Sequence, residues 1–185
     1  MIEPLQPGIQ KVVDAASRKG AALDIRFVPA TAHTAEAIAF AVDTDPGSVV
    51  QTVVYVVPRS EGRLLPIVCL VSGRNQIDPA LLGAVSGEVS VREASAREAR
   101  ELTGYEAGEV PPFGHGRDVR ILMDQDLCQY QWIWASAGSA SAIFRVAPRT
   151  LRMLSNAVVA PLAAAGWMTA PSGAADPRQL VRFAS

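Results

Sequence analysis

Residues 49–57 and 64–71 are the two stretches that most limit what this chain can become. The first reads Val49-Val50-Gln51-Thr52-Val53-Val54-Tyr55-Val56-Val57 and the second Leu64-Leu65-Pro66-Ile67-Val68-Cys69-Leu70-Val71. Both are β-branched and apolar on both faces. Such side chains pack well on a pleated surface and lose rotamer freedom in a helix. The intervening residues, Pro58-Arg59-Ser60-Glu61-Gly62-Arg63, have the character of a hairpin loop. Two strands joined as sequence neighbours argue for an α+β domain, not a doubly wound one.

The other elements follow from caps and periodicity. Pro7 opens a helix carrying Ile9, Val12, Val13 and Ala16 on one face, and Gly20 closes it. A short strand is predicted over 25–28. Thr34 caps a helix over 35–42, with Glu36 in its first turn. Asp78-Pro79 starts a helix over 80–85. Residues 89–91 read as a short strand. Ser95 and Glu98 form a capping box for a helix over 96–102, with Gly104 after its end. Strands are predicted over 119–123, 131–135 and 142–146, with a turn at Gly138-Ser139 between the last two, and a final helix over 148–154. The expectation is one mixed sheet of about seven strands, curled and barrel-like, with about five helices around it. The domain is expected over 1–165 and a weakly patterned Ala/Pro/Gly-rich tail over 166–185.

Composition narrows the function. Of 185 residues, 49% are hydrophobic and 19% charged, enough to bury one full core and too apolar for a disordered chain. No apolar run has the length of a membrane span, and Met1-Ile2-Glu3-Pro4-Leu5 has neither a basic nor an apolar leader region. A cytoplasmic protein without a membrane partner is expected. The net charge of −1 excludes bulk polyanion binding but leaves room for a nucleic acid gripped at one local patch. Lys11 and Lys19 are the two lysines; every other basic residue is an arginine. Cys69 and Cys128 both lie among apolar neighbours and read as buried thiols. Two histidines and two separated cysteines assemble no zinc spacing, so no metal is expected.

The segment from Gly104 to Gly116 contains four glycines and two prolines in thirteen residues, which excludes a helix or a central strand. Its core, Gly108-Glu109-Val110-Pro111-Pro112-Phe113-Gly114-His115, is either a rigid structural turn or a loop that presents backbone N–H groups to a ligand. His115 reads as a structural histidine or as a proton carrier, and His33 as a local hydrogen-bonding residue. Tyr130, Trp132 and Trp134 alternate, so on one strand they share a face, as core or as a stacking platform for bases. Asp124 and Asp126 read as turn-forming aspartates. No nucleophile elbow, Walker loop or dinucleotide fingerprint is present.

The order of these pieces resembles the YbaK/EbsC family of aminoacyl-tRNA deacylases, related to the editing insertion of bacterial prolyl-tRNA synthetases. The resemblance runs over about 31–159, from Thr31. It rests on Thr34-Ala35-Glu36-Ala37, on Gln51-Thr52 within its strand, on Ser72-Gly73-Arg74-Asn75, on Gly108 to His115 with the family's Gly-x-x-x-Pro pattern at Gly108 and Pro112, and on Asp124 and Gly138-Ser139. It implies a mixed α+β fold with a curled sheet. It also implies hydrolysis, without metal or cofactor, of the ester joining a small wrong amino acid to the 3′ acceptor end of tRNA, with an aminoacyl-tRNA synthetase as a further partner. On the matching positions the catalytic residues would be Gln51 and Gly108. The substrate-binding ones would be Thr31, His33, Thr52, Ser72, Gly73, Pro111, Pro112, Phe113, Gly114, His115, Gly138 and Ser139. The family's terminal ribose hydroxyl helps activate water.

The chain departs from this pattern at position 51, where the family carries a catalytically important lysine and this chain carries glutamine. A glutamine can still donate a hydrogen bond, but a charge-assisted bond is roughly twice as strong as a neutral one. An arginine from elsewhere, Arg74 or Arg117, could stand in. Two readings follow: an active deacylase, or a binding module that kept the pocket and lost hydrolysis. Phosphate contacts are expected from Arg63, Arg74, Arg117 and Arg120.

Overall fold

The computed structural model describes residues 5–163; the expected tail over 166–185 lies outside them. The hairpin forms as expected. Strand β2 (Val50–Pro58) pairs antiparallel with β3 (Leu64–Ser72) along its whole length, from Val50 opposite Ser72 to Pro58 opposite Leu64. The short β4 (Arg92–Glu93) adds to β2 at Tyr55 and Val56 only. On the other side β5 (Arg120–Asp124) lies parallel to β3, and β8 (Val158–Ala160) parallel to β5. The order in this sheet is β4-β2-β3-β5-β8, in which the strands expected over 131–135 and 142–146 have no place.

Those strands build a second, antiparallel sheet: β1 (Asp24–Phe27), β7 (Ala142–Val146) and β6 (Ile133–Ser139), in that order. The expected single curled sheet is therefore two sheets. A parallel bridge between Val49 and Trp134 is where they meet, and no closed barrel is found among the described residues. The sequence reading also lacked β8, because a three-residue strand has no measurable period. The strand expected over 89–91 sits at Arg92–Glu93 instead.

Period-2 alternation explains why the hairpin is apolar on both faces. Val50 and Val54 point into the main core with Val68, Leu70 and Met123. There they meet Ile133 and Phe144 of the second sheet and Ile9, Val12 and Ala16 of α1 (Pro7–Arg18). Tyr55 and Val57 point the other way, onto a smaller core with Ile67, Cys69, Leu122 and Leu82 of α3 (Pro79–Ser86). Each of these large side chains contributes about 1.5–3 kcal/mol by leaving water.

The predicted caps are in place. Thr34 Oγ1 accepts from the N–H of Ala37 at the start of α2 (Ala35–Val42). Asp78 caps α3. Ser95 and Glu98 close the capping box of α4 (Ala96–Thr103). Lys19 Nζ donates to the carbonyls of Met153 and Leu154 and to Asn156 Oδ1, closing the end of α5 (Pro148–Ser155). That bond takes one of the two lysines out of any chemistry.

Two expectations fail for packing reasons. Cys69 is buried, but Cys128 is exposed on the irregular turn between β5 and β6. Tyr130 and Trp132 precede β6, which begins at Ile133. Trp134 is buried at 5% exposure while Trp132 is 46% exposed, so the three aromatics do not share one environment.

Candidate functional site

The hairpin leaves one edge open. Val54 accepts a hydrogen bond through its carbonyl from the N–H of Ala94, on the β4 side. Backbone groups of a strand alternate sides, so those of Thr52 face the same edge, beyond the reach of β4. The Thr52 side chain adds to this. Its Oγ1 is buried and has no hydrogen-bond partner among the described residues. A buried hydroxyl left unpaired costs about 1–3 kcal/mol, so such a group calls for an explanation.

Opposite that edge runs the irregular segment after α4. Gly108 has φ +85°, a left-handed conformation that side-chain-bearing residues rarely adopt, and a Cβ there would meet nothing within 4 Å. The segment is tied to β6 by Ser136, whose hydroxyl donates to the Glu109 carbonyl at 3.0 Å and accepts from the Gly138 N–H at 3.1 Å.

Between edge and loop lies a cavity of about 510 Å³, within the usual range of small-molecule sites, about 300–1,000 Å³. Val49, Val50, Gln51, Thr52 and Val53 form one wall and Ala107, Gly108, Glu109 and Val110 another. Trp134, Ala135, Ser136, Ser139, Ala140 and Ile143 of the second sheet make the third, and Ala32, His33, Ala35 and Ile38 close the end at α2.

Of the residues expected at a site, Gln51, Thr52, His33, Gly108 and Ser139 are brought together here. The rest are not among the lining residues. Ser72 donates to the Gly47 carbonyl at 2.7 Å, and Gly73 is packed under the Pro46 carbonyl. Gly138 meets Gly8 of α1 so closely that a Cβ on Gly8 would fall 2.3 Å from the Gly138 carbonyl oxygen. Thr31 is exposed outside the cavity.

The Pro111-Pro112-Phe113-Gly114-His115 run anchors the loop and does not line the cavity. Phe113 packs edge-on against Phe144, with ring centres 5.7 Å apart. Tyr105 donates its hydroxyl to the Gly114 carbonyl, and His115 Nε2 lies 2.9 Å from the Pro111 carbonyl. A carbonyl only accepts, so Nε2 carries the proton. Burial holds the His115 pKa below its ordinary value, against a smaller opposing effect of the Pro111 hydrogen bond. Phe113, Gly114 and His115 instead border a separate groove of about 290 Å³ with Arg117.

Among the described residues, no lysine or arginine lines the main cavity; its ionisable groups there are His33 and Glu109. Neither proposed substitute for the family lysine is there. Arg74 is held by Asp45 at 2.7 Å, and Arg117 lies in the other groove. Arg120 donates to the Ser86 carbonyl, and Arg63 sits at the far end of the hairpin. Gln51 borders the main cavity at the open edge of β2, but its side chain alternates with that of Thr52 and falls on the opposite face with Val53 and Tyr55, where it lines a third cavity. No group of three or more His, Cys, Asp or Glu side chains able to hold a metal occurs among the described residues. Trp134, Ser136 and Ile143 were missed from sequence. Their signal was the alternation along β6 and β7, which identifies a face but not what the face looks onto.

The comparisons agree with this geometry. A solved structure described as a candidate trans-editing enzyme for prolyl tRNA synthetase superposes with TM-score 0.78 at 34% identity, covering 87% of this chain and 99% of that one. EbsC of Enterococcus faecalis, described as a candidate Cys-tRNA(Pro)/Cys-tRNA(Cys) deacylase, is 25% identical over 123 residues, 66% of this chain and 73% of EbsC. The proline–tRNA ligase of Aquifex aeolicus is 30% identical over 95 residues, 51% of this chain but only 16% of the ligase. Residues 29–154, more than half of the chain, match the family model of the aminoacyl-tRNA editing domain, and the chain belongs to that family.

Proposed function

We propose that this chain is a free-standing trans-editing hydrolase that removes a small amino acid from the 3′ end of mischarged tRNA. The observation that carries this reading is the open strand edge at Thr52, which together with the Gly108 loop lines a cavity of suitable size. The editing unit is the domain over 1–165. It includes α1, outside the family match, because Ile9, Val12 and Ala16 are fully buried in the main core.

The reaction adds water to the ester carbonyl. A tetrahedral intermediate forms, the bond from carbonyl carbon to ribose oxygen breaks, and that oxygen leaves with a proton. Negative charge builds on the carbonyl oxygen on the way. Backbone N–H groups of the strand edge and the Gly108 loop are the donors available to it; the Thr52 hydroxyl lies just behind that wall, and the Gln51 carboxamide reaches in only around the open edge of β2. Ala32, Ala135, Ser139 and Ala140 give the cavity small-residue walls, which suits a small aminoacyl group. His33 stands at the rim, near the path of the ribose. The ribose hydroxyl next to the ester assists the water, as the resemblance implies. The work belongs in the cytoplasm, where charged tRNA is used.

The absence of a lining lysine or arginine among the described residues favours a second reading, a module that binds aminoacyl-tRNA or a synthetase without hydrolysis. Single-turnover deacylation of alanyl-, seryl- and cysteinyl-tRNA separates the two. Release of amino acid above the uncatalysed rate supports the hydrolase. Binding with no release supports the module.

A further inference from the structure

We propose that the exposed Trp132–Arg145 stack beside the three-stranded sheet, continued by Arg26 over the buried Trp134, is a docking track for the unpaired 3′ strand of an RNA acceptor end. The proposal rests on the tRNA-editing reading of the cavity.

The geometry follows from register. Trp134 of β6 pairs with Arg145 of β7, which pairs in turn with Asp24 of β1, so these three side chains share a face. Arg26 is on that face as well, two residues from Asp24. The Arg145 guanidinium lies 5.0 Å from the centre of the Trp132 ring, and that of Arg26 lies 5.3 Å from the Trp134 ring. Both distances fall within cation–π range. Arg145 makes no ion pair among the described residues, and Arg26 has only a long contact, 3.9 Å, to Asp24. Two guanidiniums against one carboxylate leave the face cationic in a protein whose net charge is −1.

The track leads into the site. Trp134 is a wall of the main cavity, and Trp132 lies two residues further out on the same chain. Trp132 is 46% exposed, with the Arg145 guanidinium over its ring. Single-stranded nucleic acid is the occupant that uses every part of this surface. Its bases stack on aromatic rings and arginine planes regardless of sequence, and its phosphates neutralise the guanidiniums. A protein partner would have no use for a row that ends in a closed cavity. A terminal nucleotide bearing an aminoacyl group would.

The test uses the whole chain and two RNA probes: an acceptor-stem hairpin with a short unpaired 3′ tail, and the same hairpin without the tail. Binding is read by anisotropy of a label on the stem loop. The native protein should bind the tailed hairpin about tenfold or more tightly than the blunt one, the size expected for one stacked base. Trp132→Ala and Arg145→Ala should abolish that preference while melting like the native protein. Arg145→Lys, which keeps the charge but loses the planar stack, should retain only part of it. Equal native affinity for the two hairpins overturns the track, as does a preference that survives in Trp132→Ala and Arg145→Ala. Deacylation is measured alongside. A native protein that hydrolyses no substrate but shows the tail preference, lost in the variants, keeps the track and removes the hydrolase reading. Variants that hydrolyse aminoacyl-tRNA with native kcat/KM keep the hydrolase and remove the track.

Discussion

Ser136 on β6 donates its hydroxyl to the carbonyl of Glu109, 27 residues earlier in the chain, across 3.0 Å. This bond holds an irregular loop against a sheet, and the loop forms one wall of the cavity. The same oxygen accepts from the Gly138 N–H, so its single proton is committed to Glu109.

Ser136→Ala should therefore loosen the loop more than it destabilises the fold. Loss of one such bond costs about 0.5–1.5 kcal/mol, a drop of a few degrees in Tm. Deacylation should fall at least as much, through kcat/KM. An unchanged rate with a lowered Tm would make the bond structural only.

Thr52→Val tests the orphan hydroxyl. Valine is nearly the same size and lacks the unpaired oxygen, so stability should hold or rise by up to about 1–3 kcal/mol. Deacylation should fall, because a donor just behind the cavity wall is gone. Urea unfolding and single-turnover assays on the same preparations check both halves. Equal activity would remove Thr52 from the chemistry.

Gln51 is tested in both directions. Gln51→Lys should raise deacylation of at least one small aminoacyl-tRNA, since a cation near the developing charge lowers the barrier. Gln51→Ala should lower it with little effect on folding; losing one oxyanion donor typically costs about 2.7–4 kcal/mol of barrier. Gln51 shares its strand face with Val53 and Tyr55, so a lysine there must reach around the open edge of β2 to enter the main cavity. If Gln51→Ala matches the native rate, the side chain serves the third cavity and not the reaction.

Asn75 donates to Asp124 at 2.9 Å and to Asp126 at 2.7 Å, and Asp124 is 1% exposed. Burial is the largest influence on Asp124 and raises its pKa; the Asn75 bond opposes that rise. A raised folded pKa means stability that is present at acid pH and lost as pH rises through that value. Asn75→Ala removes the opposing bond, so the folded pKa climbs further. The variant should be less stable than native by about 1–3 kcal/mol at pH 7, with a smaller deficit at pH 5. Urea midpoints at the two pH values check the sign. An equal deficit at both would mean Asp124 is not the group responsible.

The two thiols should differ sharply in reactivity. Burial pushes Cys69 up to about 12, while Cys128 is exposed. A thiol reagent at pH 8 should modify Cys128 quickly and Cys69 only after unfolding. Mass spectrometry of the labelled peptides distinguishes them.

Local elements were legible because their causes are local. Helix 35–42 and strand 142–146 match their expected bounds residue for residue, since Thr34 as cap and the apolar, β-prone run of β7 lie within a few residues of what they define. The family resemblance likewise rested on order and spacing along the chain. Gln51, Thr52, His33, Gly108 and Ser139 were expected at the site and line one cavity.

The sequence by itself determined the hairpin, the caps, the irregular Gly/Pro loop around 108 and the loss of a lysine at 51, because propensity, periodicity and side-chain chemistry act over a few residues. Only the tertiary structure decided that the strands divide into two sheets, since pairing depends on which edges meet. It also decided that Pro111 to His115 anchors the loop while Ser136 ties it to β6, that Trp134 is a wall while Trp132 is exposed, and that no arginine among the described residues lines the cavity in place of the missing lysine. Each of these depends on contacts between residues far apart in the chain, where closure entropy and packing select the partner and no local pattern records it.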